Sequence, residues 1–292
     1  MKLRVRHATT YRYRSEAVFS QHLLRLTPET APGQNVVDTQ LAITPEPDSI
    51  DRHRDMFGNW VHVATLSRPH KGLEIVASAT VERQERAELI FEASAPWEEV
   101  RDVAIGLGTT ARLSTIAPYA FPSAMTASDA AIESYVRETI KAEMPVLAGA
   151  WALCRRIHAD FEYRPGVTAA DTQPVESFKR REGVCQDFAH VMLSALRVLR
   201  LPARYVSGYL RTIPPEGKER LKGADASHAW VSVWEPAFGW IDFDPTNDMV
   251  PGVDHVSLAH GRDYRDVSPV SGVVIGAGTQ ALKVGVDVVE TS

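Results

Sequence analysis

The sequence predicts an α+β fold: an N-terminal antiparallel β-sandwich, then a core in which a cysteine-bearing helix packs on an antiparallel sheet. Three observations predict it. From Met1 to about Ile90 apolar residues alternate with period two, as half-buried strands do. Between Cys185 and Leu199 they recur at spacings of three and four. After Pro202, alternation returns in three consecutive segments.

In chain order, Leu3 and Val5 alternate with Lys2, Arg4 and Arg6, a strand with a solvated outer face. Leu41 and Ile43 continue the pattern, and Leu73, Ile75, Ala77, Ala79 and Val81 share one parity. Phe57-Gly58-Asn59 marks a turn before Trp60. The sandwich is assigned residues 1–90 and a helical linker residues 91–145, where Pro96, Pro118 and Pro122 interrupt Ala- and Ser-rich text. Ser128-Asp129 reads as a helix start with Ile132, Val136 and Ile140 on one face. Pro145 opens a stronger helix with a stripe of Leu147, Trp151, Cys154 and Phe161, and places Cys154 among core residues.

The core is assigned residues 146–250, with strands over 203–210, 228–234 and 239–244. Residues 251–292 read as a loop-rich stretch ending in one strand through Leu282, Val284, Val286 and Val288, which returns to either body.

The chain has 292 residues, 44% of them hydrophobic and 24% charged, an ordinary globular balance. A net charge of -5 argues against a nucleic-acid partner. No apolar run is long enough to span a membrane, and Met1 to Arg6 lacks the apolar stretch of a signal peptide. Two cysteines far apart give no disulfide framework, so a reducing cytoplasm is the expected location. Oligomeric state is not legible.

The chemistry concentrates in three segments: Gly183-Val184-Cys185-Gln186-Asp187, Ser227-His228-Ala229-Trp230 and Asp242-Phe243-Asp244-Pro245-Thr246. A thiol, an imidazole and a carboxylate are what covalent acyl chemistry needs: a nucleophile, its base and a group to orient the base. Cys185 falls in the first turn of its helix, where unpaired N–H groups and the helix dipole favour thiolate and can hold an oxyanion. A buried packing cysteine is the bland alternative, and the glycine and polar neighbours argue against it.

On β-periodicity, His228, Trp230, Ser232 and Trp234 share a face, as do Trp240, Asp242 and Asp244. A hairpin pairing Trp234 with Phe238 sets Asp244 opposite His228, with Asp242 as the rival orienter. Periodicity does not choose between the two. Asp244 also has a bland reading, as a turn-former before Pro245. His7, His22, His53, His62 and His70 are scattered and read as structural or exposed. His190 points away from Cys185 on the helix, and no HExxH or paired-cysteine spacing supports a metal site, so neither metal nor cofactor is expected. Arg204 and Tyr205, on the strand before His228, are assigned structural support.

The segments Gly183–His190, Pro202–Tyr209, Ser227–Val231 and Asp244–Asn247 together resemble those of the bacterial transglutaminase-like cysteine hydrolases. The opening His7–Tyr13 segment and the Asp55–Asn59 turn resemble that family's N-terminal module, so the resemblance spans nearly the whole chain. It implies a β-sandwich before a papain-like, transglutaminase-like core, and a triad of Cys185, His228 and Asp244, which prefers Asp244 over Asp242. Gln186 stands where animal-type transglutaminases carry tryptophan, and no acidic Ca²⁺ loop is present. The expected activity is therefore hydrolysis of a peptide, isopeptide or other amide bond through an acyl-thioester. Acyl transfer to an amine, or a non-catalytic binding module, are the alternatives. The substrate class is a peptide or other amide-containing molecule.

Overall fold

In a computed structural model, which describes residues 1–107, 115–212 and 226–291, the chain is a mixed α+β protein with three four-stranded antiparallel sheets. The N-terminal strands are β1 (Lys2–Ala17), β2 (Phe19–Leu24), β3 (Gln34–Thr44), β4 (Ser49–Arg54), β5 (Trp60–Leu66) and β6 (His70–Arg83). Helices α1 (Trp97–Ala104), α2 (Ala130–Thr139), α3 (Val146–Asp160), α4 (Pro174–Arg180) and α5 (Cys185–Val198) follow, with two-residue strands β7 (Glu162–Tyr163) and β8 (Glu182–Gly183) among them. Then come β9 (Ala203–Leu210), β10 (Ala226–Glu235), β11 (Gly239–Phe243), β12 (His255–Gly261), the short α6 (Tyr264–Val267), β13 (Val270–Ile275) and β14 (Gln280–Thr291). The linker reading over 91–145 meets α1 and α2, and its part at 108–114 lies outside the described residues.

Two sheets, ordered β14-β1-β6-β3 and β13-β2-β5-β4, share one apolar core. Leu3, Leu73, Ile75 and Val288 come from the first and Leu24, Ala64 and Leu66 from the second. The last strand therefore joins the N-terminal module, pairing Lys2 with Thr291 through Tyr13 with Gln280. The stretch after Met249, read as loop-rich, carries two further strands. β12 carries no alternation because it is buried on both faces; β13 contains Gly272 and has no buried residue.

The third sheet runs β11-β10-β9-β12, so its fourth strand lies beyond residue 250, where the sequence reading ended the core. Ala203, Tyr205, Val231, Val233, Ile241 and Phe243 pack with the helices; Tyr209, Val256 and Leu258 pack with the sandwich. β12 is an edge strand, and side-chain amides cover its free groups. Gln34 donates to the Ser257 carbonyl (2.8 Å) and accepts from its N–H (2.9 Å), and Asn59 does the same at His260 (2.8 and 2.9 Å). Each amide takes the place of a neighbouring strand and ties the modules together.

Helix α5 is the pivot of the core. Periodicity gave it one apolar face, yet every residue from Asp187 to Arg197 is buried, because other helices cover the second side. The buried Arg197 guanidinium is satisfied by the carbonyls of Tyr119, Ala203 and Arg262 and the hydroxyls of Ser123 and Thr126. Cys154 is fully buried on α3, and burial pushes its thiol pKa up, as for a packing residue. His7 is likewise structural, bonded at both nitrogens to Tyr209 and Thr9 (3.0 Å each).

Candidate active site

Cys185 begins α5 after Val184, which is extended (φ -114°) and occupies the N-cap position without a side-chain cap. The carboxylate of Asp187 reaches back to accept from the Val184 N–H at 2.8 Å and from the hydroxyls of Thr168 (2.7 Å) and Ser177 (2.9 Å). This bond fixes the entry angle of the chain, as the acidic half of a capping box does. Gly183 permits it: a Cβ there would lie 2.6 Å from the Asp187 carboxylate. The Cys185 N–H, at the first helical position, has no acceptor within the helix.

The structure brings Cys185, His228 and Asp244 together. The thiol is partly exposed and lies close enough to the His228 imidazole to act on its protonation, while His228 Nε2 lies 2.7 Å from Asp244 Oδ2. That leaves Nδ1 as the nitrogen facing the thiol. Burial opposes charge on His228, but hydrogen bonds to Asp244 and Cys185, and their negative charge, raise its pKa to about 10. Burial also opposes ionisation of Asp244, and the bonds from His228, His255 and Asn247 outweigh it, holding the carboxyl well below its usual range.

The hairpin behind this contact differs from the sequence expectation. Trp234 pairs with Trp240, not Phe238, and Val231 with Phe243. The loop Pro236-Ala237-Phe238 is closed by Glu235 opposite Gly239, which takes φ 73°, as three-residue hairpins favour. Glu235 caps the loop by accepting from the Ala237 and Phe238 N–H groups. A two-residue shift keeps every side chain on its face, so Asp244 still reaches His228, now diagonally. Asp242, the rival, lies opposite Ser232 beside Arg204, whose guanidinium covers the Trp240 ring at 4.4 Å.

The Asp244 carboxylate closes a turn and meets His228 at the same time. Oδ1 accepts from the N–H groups of Thr246 (3.0 Å) and Asn247 (3.3 Å), an Asx turn, while Oδ2 faces His228. Asp244 and Met249 close the turn with backbone bonds, and His158 Nδ1 donates to the Thr246 carbonyl at 3.0 Å.

Sequence reasoning passed over three residues here. Asn247 Nδ2 donates to Asp244 Oδ2 (2.7 Å), and its own motif position was the only signal. His255 Nε2 lies 3.2 Å from the same oxygen, from a strand that periodicity did not reveal. Tyr163 lies near enough to Cys185 for the thiolate to raise its pKa, after burial, and is half exposed. Tyr205 is buried near Cys185 against the His190 ring (5.1 Å), and His190 accepts from the Tyr264 N–H, a packing role. Trp230 is wholly buried.

His228, Asp244 and His255 place ligand-type atoms within 4.8 Å of one another. Ligands of a tetrahedral Zn²⁺, at about 2.0–2.1 Å from the metal, lie roughly 3.3 Å apart. The 2.7 Å between His228 Nε2 and Asp244 Oδ2 is instead a hydrogen-bond distance, so these residues fit a proton network better than a metal. Among the described residues, no helix is long and apolar enough to cross a membrane.

The model of the bacterial transglutaminase-like N-terminal region matches residues 3–82, and that of the transglutaminase-like superfamily matches residues 133–245. An uncharacterized protein of Mycobacterium tuberculosis (strain H37Rv) is 35% identical over 99% of this chain and 92% of its own length. A protein-glutamine gamma-glutamyltransferase of Pseudomonas aeruginosa is 35% identical over 129 residues, 41% of this chain and 19% of that protein. A crystal structure of a proposed cysteine protease from Cytophaga hutchinsonii shares the fold, with a TM-score of 0.75 at 22% identity over 100% of this chain and 92% of that one.

Proposed function

The chain belongs to the transglutaminase-like superfamily, and from that premise we propose that it is a cysteine-dependent hydrolase of a peptide, isopeptide or other amide bond. The observation that carries this reading is the buried 2.7 Å contact of His228 Nε2 with Asp244 Oδ2, with the Cys185 thiol beside the same imidazole.

His228 Nδ1 takes the thiol proton and Cys185 Sγ attacks the carbonyl carbon. The carbonyl oxygen becomes an oxyanion, held by the Cys185 N–H at the positive end of α5. The protonated imidazole gives its proton to the departing amine as the carbon–nitrogen bond breaks, leaving an acyl-thioester. Water then attacks that carbon, losing a proton to Nδ1. Collapse expels the Cys185 thiolate, which recovers the proton and releases a carboxylic acid. Asp244 holds Nε2–H throughout and stabilises the imidazolium. Both thiols are unpaired, which suits a reducing cytoplasm.

A second reading, transfer of the acyl group to an amine, is favoured by the similarity to the Pseudomonas aeruginosa gamma-glutamyltransferase. It uses the same residues with an amine in place of water. Wild type and Cys185→Ala, incubated with a diverse peptide mixture with and without a primary amine, separate the two by mass spectrometry. Cys185-dependent cleavage or deamidation unchanged by amine supports hydrolysis; Cys185-dependent amine adducts support transfer. No Cys185-dependent product counts against peptide chemistry.

A further inference from the structure

Resting on that reading of Cys185, His228 and Asp244, we propose that His255 is a positioning residue for the reaction: a neutral imidazole that donates to Asp244 and fixes the carboxylate that orients His228. Its Nε2 lies 3.2 Å from Asp244 Oδ2, the oxygen that His228 meets at 2.7 Å and Asn247 at 2.7 Å. Two donors on the turn side and three on the Oδ2 side leave the carboxylate no other orientation.

The ring is itself held in place. His255 is 1% exposed and pairs with Leu210 at the start of β12. The Trp230 indole meets it edge-on, centroids 5.3 Å apart and planes at 85°. Trp230 can lie there because Gly208 has no side chain: a Cβ would stand 2.4 Å from the indole and 2.3 Å from the Val256 carbonyl. Gly208, Trp230 and His255 thus form a buttress behind Asp244.

The surroundings of the second nitrogen favour a ring that donates from Nε2 alone. A ring donating from Nε2 and carrying no charge has a bare lone pair at Nδ1. That atom is buried and has no hydrogen-bond partner among the described residues. A proton there would bury both an unpaired N–H and a second positive charge. Among the described residues, the titratable groups against the ring are His228 and Asp244, and its chain neighbour Asp254 is taken by Arg211 at 2.6 Å. As a neutral donor, His255 orients Asp244 without competing with the imidazolium of His228 for its charge.

The test is the pH dependence of Cys185 alkylation by iodoacetamide, which reads the thiolate–imidazolium pair and needs no substrate; Cys185→Ala is the blank. His255→Leu and His255→Phe remove the donor, the second keeping a ring beside Trp230, and His255→Gln retains an N–H donor. Each variant is checked for folding by circular dichroism. The acid limb of either donorless variant should move up by about one pH unit, slowing alkylation about tenfold on that limb. His255→Gln should stay within about threefold of wild type. Folded donorless variants that superimpose on wild type overturn the role of His255 and leave the ion pair standing. A wild-type thiol no more reactive than a free one overturns the ion pair, and this role with it.

Discussion

His228 and Asp244 meet by a diagonal across the β10–β11 hairpin. The ladder pairs Val231 with Phe243, which sets Asp244 level with Trp230, yet its Oδ2 lies 2.7 Å from His228 Nε2. Asp244 leaves the ladder at that point to close a turn with Met249, and the turn's own N–H groups aim the carboxylate. The acid is therefore held by the loop as much as by the sheet.

Asp244→Asn should leave the fold intact and abolish most activity. An amide that donates to His228 Nε2 forces the proton onto Nδ1, the nitrogen that must accept from Cys185. Loss of turnover by about 10³–10⁴-fold is expected, as when a serine-protease triad loses its aspartate charge. Steady-state kinetics on a peptide identified by the mass-spectrometric screen, with circular dichroism as the folding check, measure it.

The same pair sets a pH window for stability. The folded pKa of His228 is raised to about 10, so its contribution is complete below about 6.5, the ordinary value, and is lost as pH rises toward 10. Asp244 is depressed, so its contribution is present above about 3.9 and is lost on acidification below it. The melting temperature of wild type should therefore fall progressively between pH 6.5 and 10, and less steeply in Asp244→Asn. Parallel curves for the two proteins would count against a charged pair.

Gly183→Ala inserts a methyl 2.6–2.8 Å from the Asp187 side chain, inside contact distance. The carboxylate must move from the Val184 N–H, disturbing the start of α5 and the placement of Cys185. A loss of about 1–3 kcal/mol is expected in urea melts, with slower Cys185 alkylation at neutral pH.

Gln34→Leu strips both bonds from Ser257 on the edge of β12, and Asn59→Leu those from His260. Each leaves a half-buried N–H and carbonyl short of partners, for about 1–2 kcal/mol by the urea midpoint. Because neither side chain touches Cys185 or His228, Cys185 alkylation should be unchanged under conditions where the variants are folded.

Much of the site was legible because the information is local. The helix start at Cys185, the strand carrying His228 and the turn at Asp244 each follow from residues within a few positions, and strand parity survives a two-residue error in register. The true register was less legible. It depends on Gly239 adopting φ 73° and on Glu235 capping the loop, and alternation does not encode either.

What the sequence alone determined is the set of elements and the faces they present: the period-two sandwich strands, the helix that opens on Cys185, and a thiol, imidazole and carboxylate in that order. Only the tertiary structure decided which long-range partners those faces meet. β14 pairs with β1 and β13 with β2, while β12, buried on both sides and so without alternation, brings His255 to Asp244. Periodicity records whether a side chain is buried. It does not record against what, because apolar burial is non-directional and the choice of neighbour is made by packing and by hydrogen bonds between residues far apart in the chain.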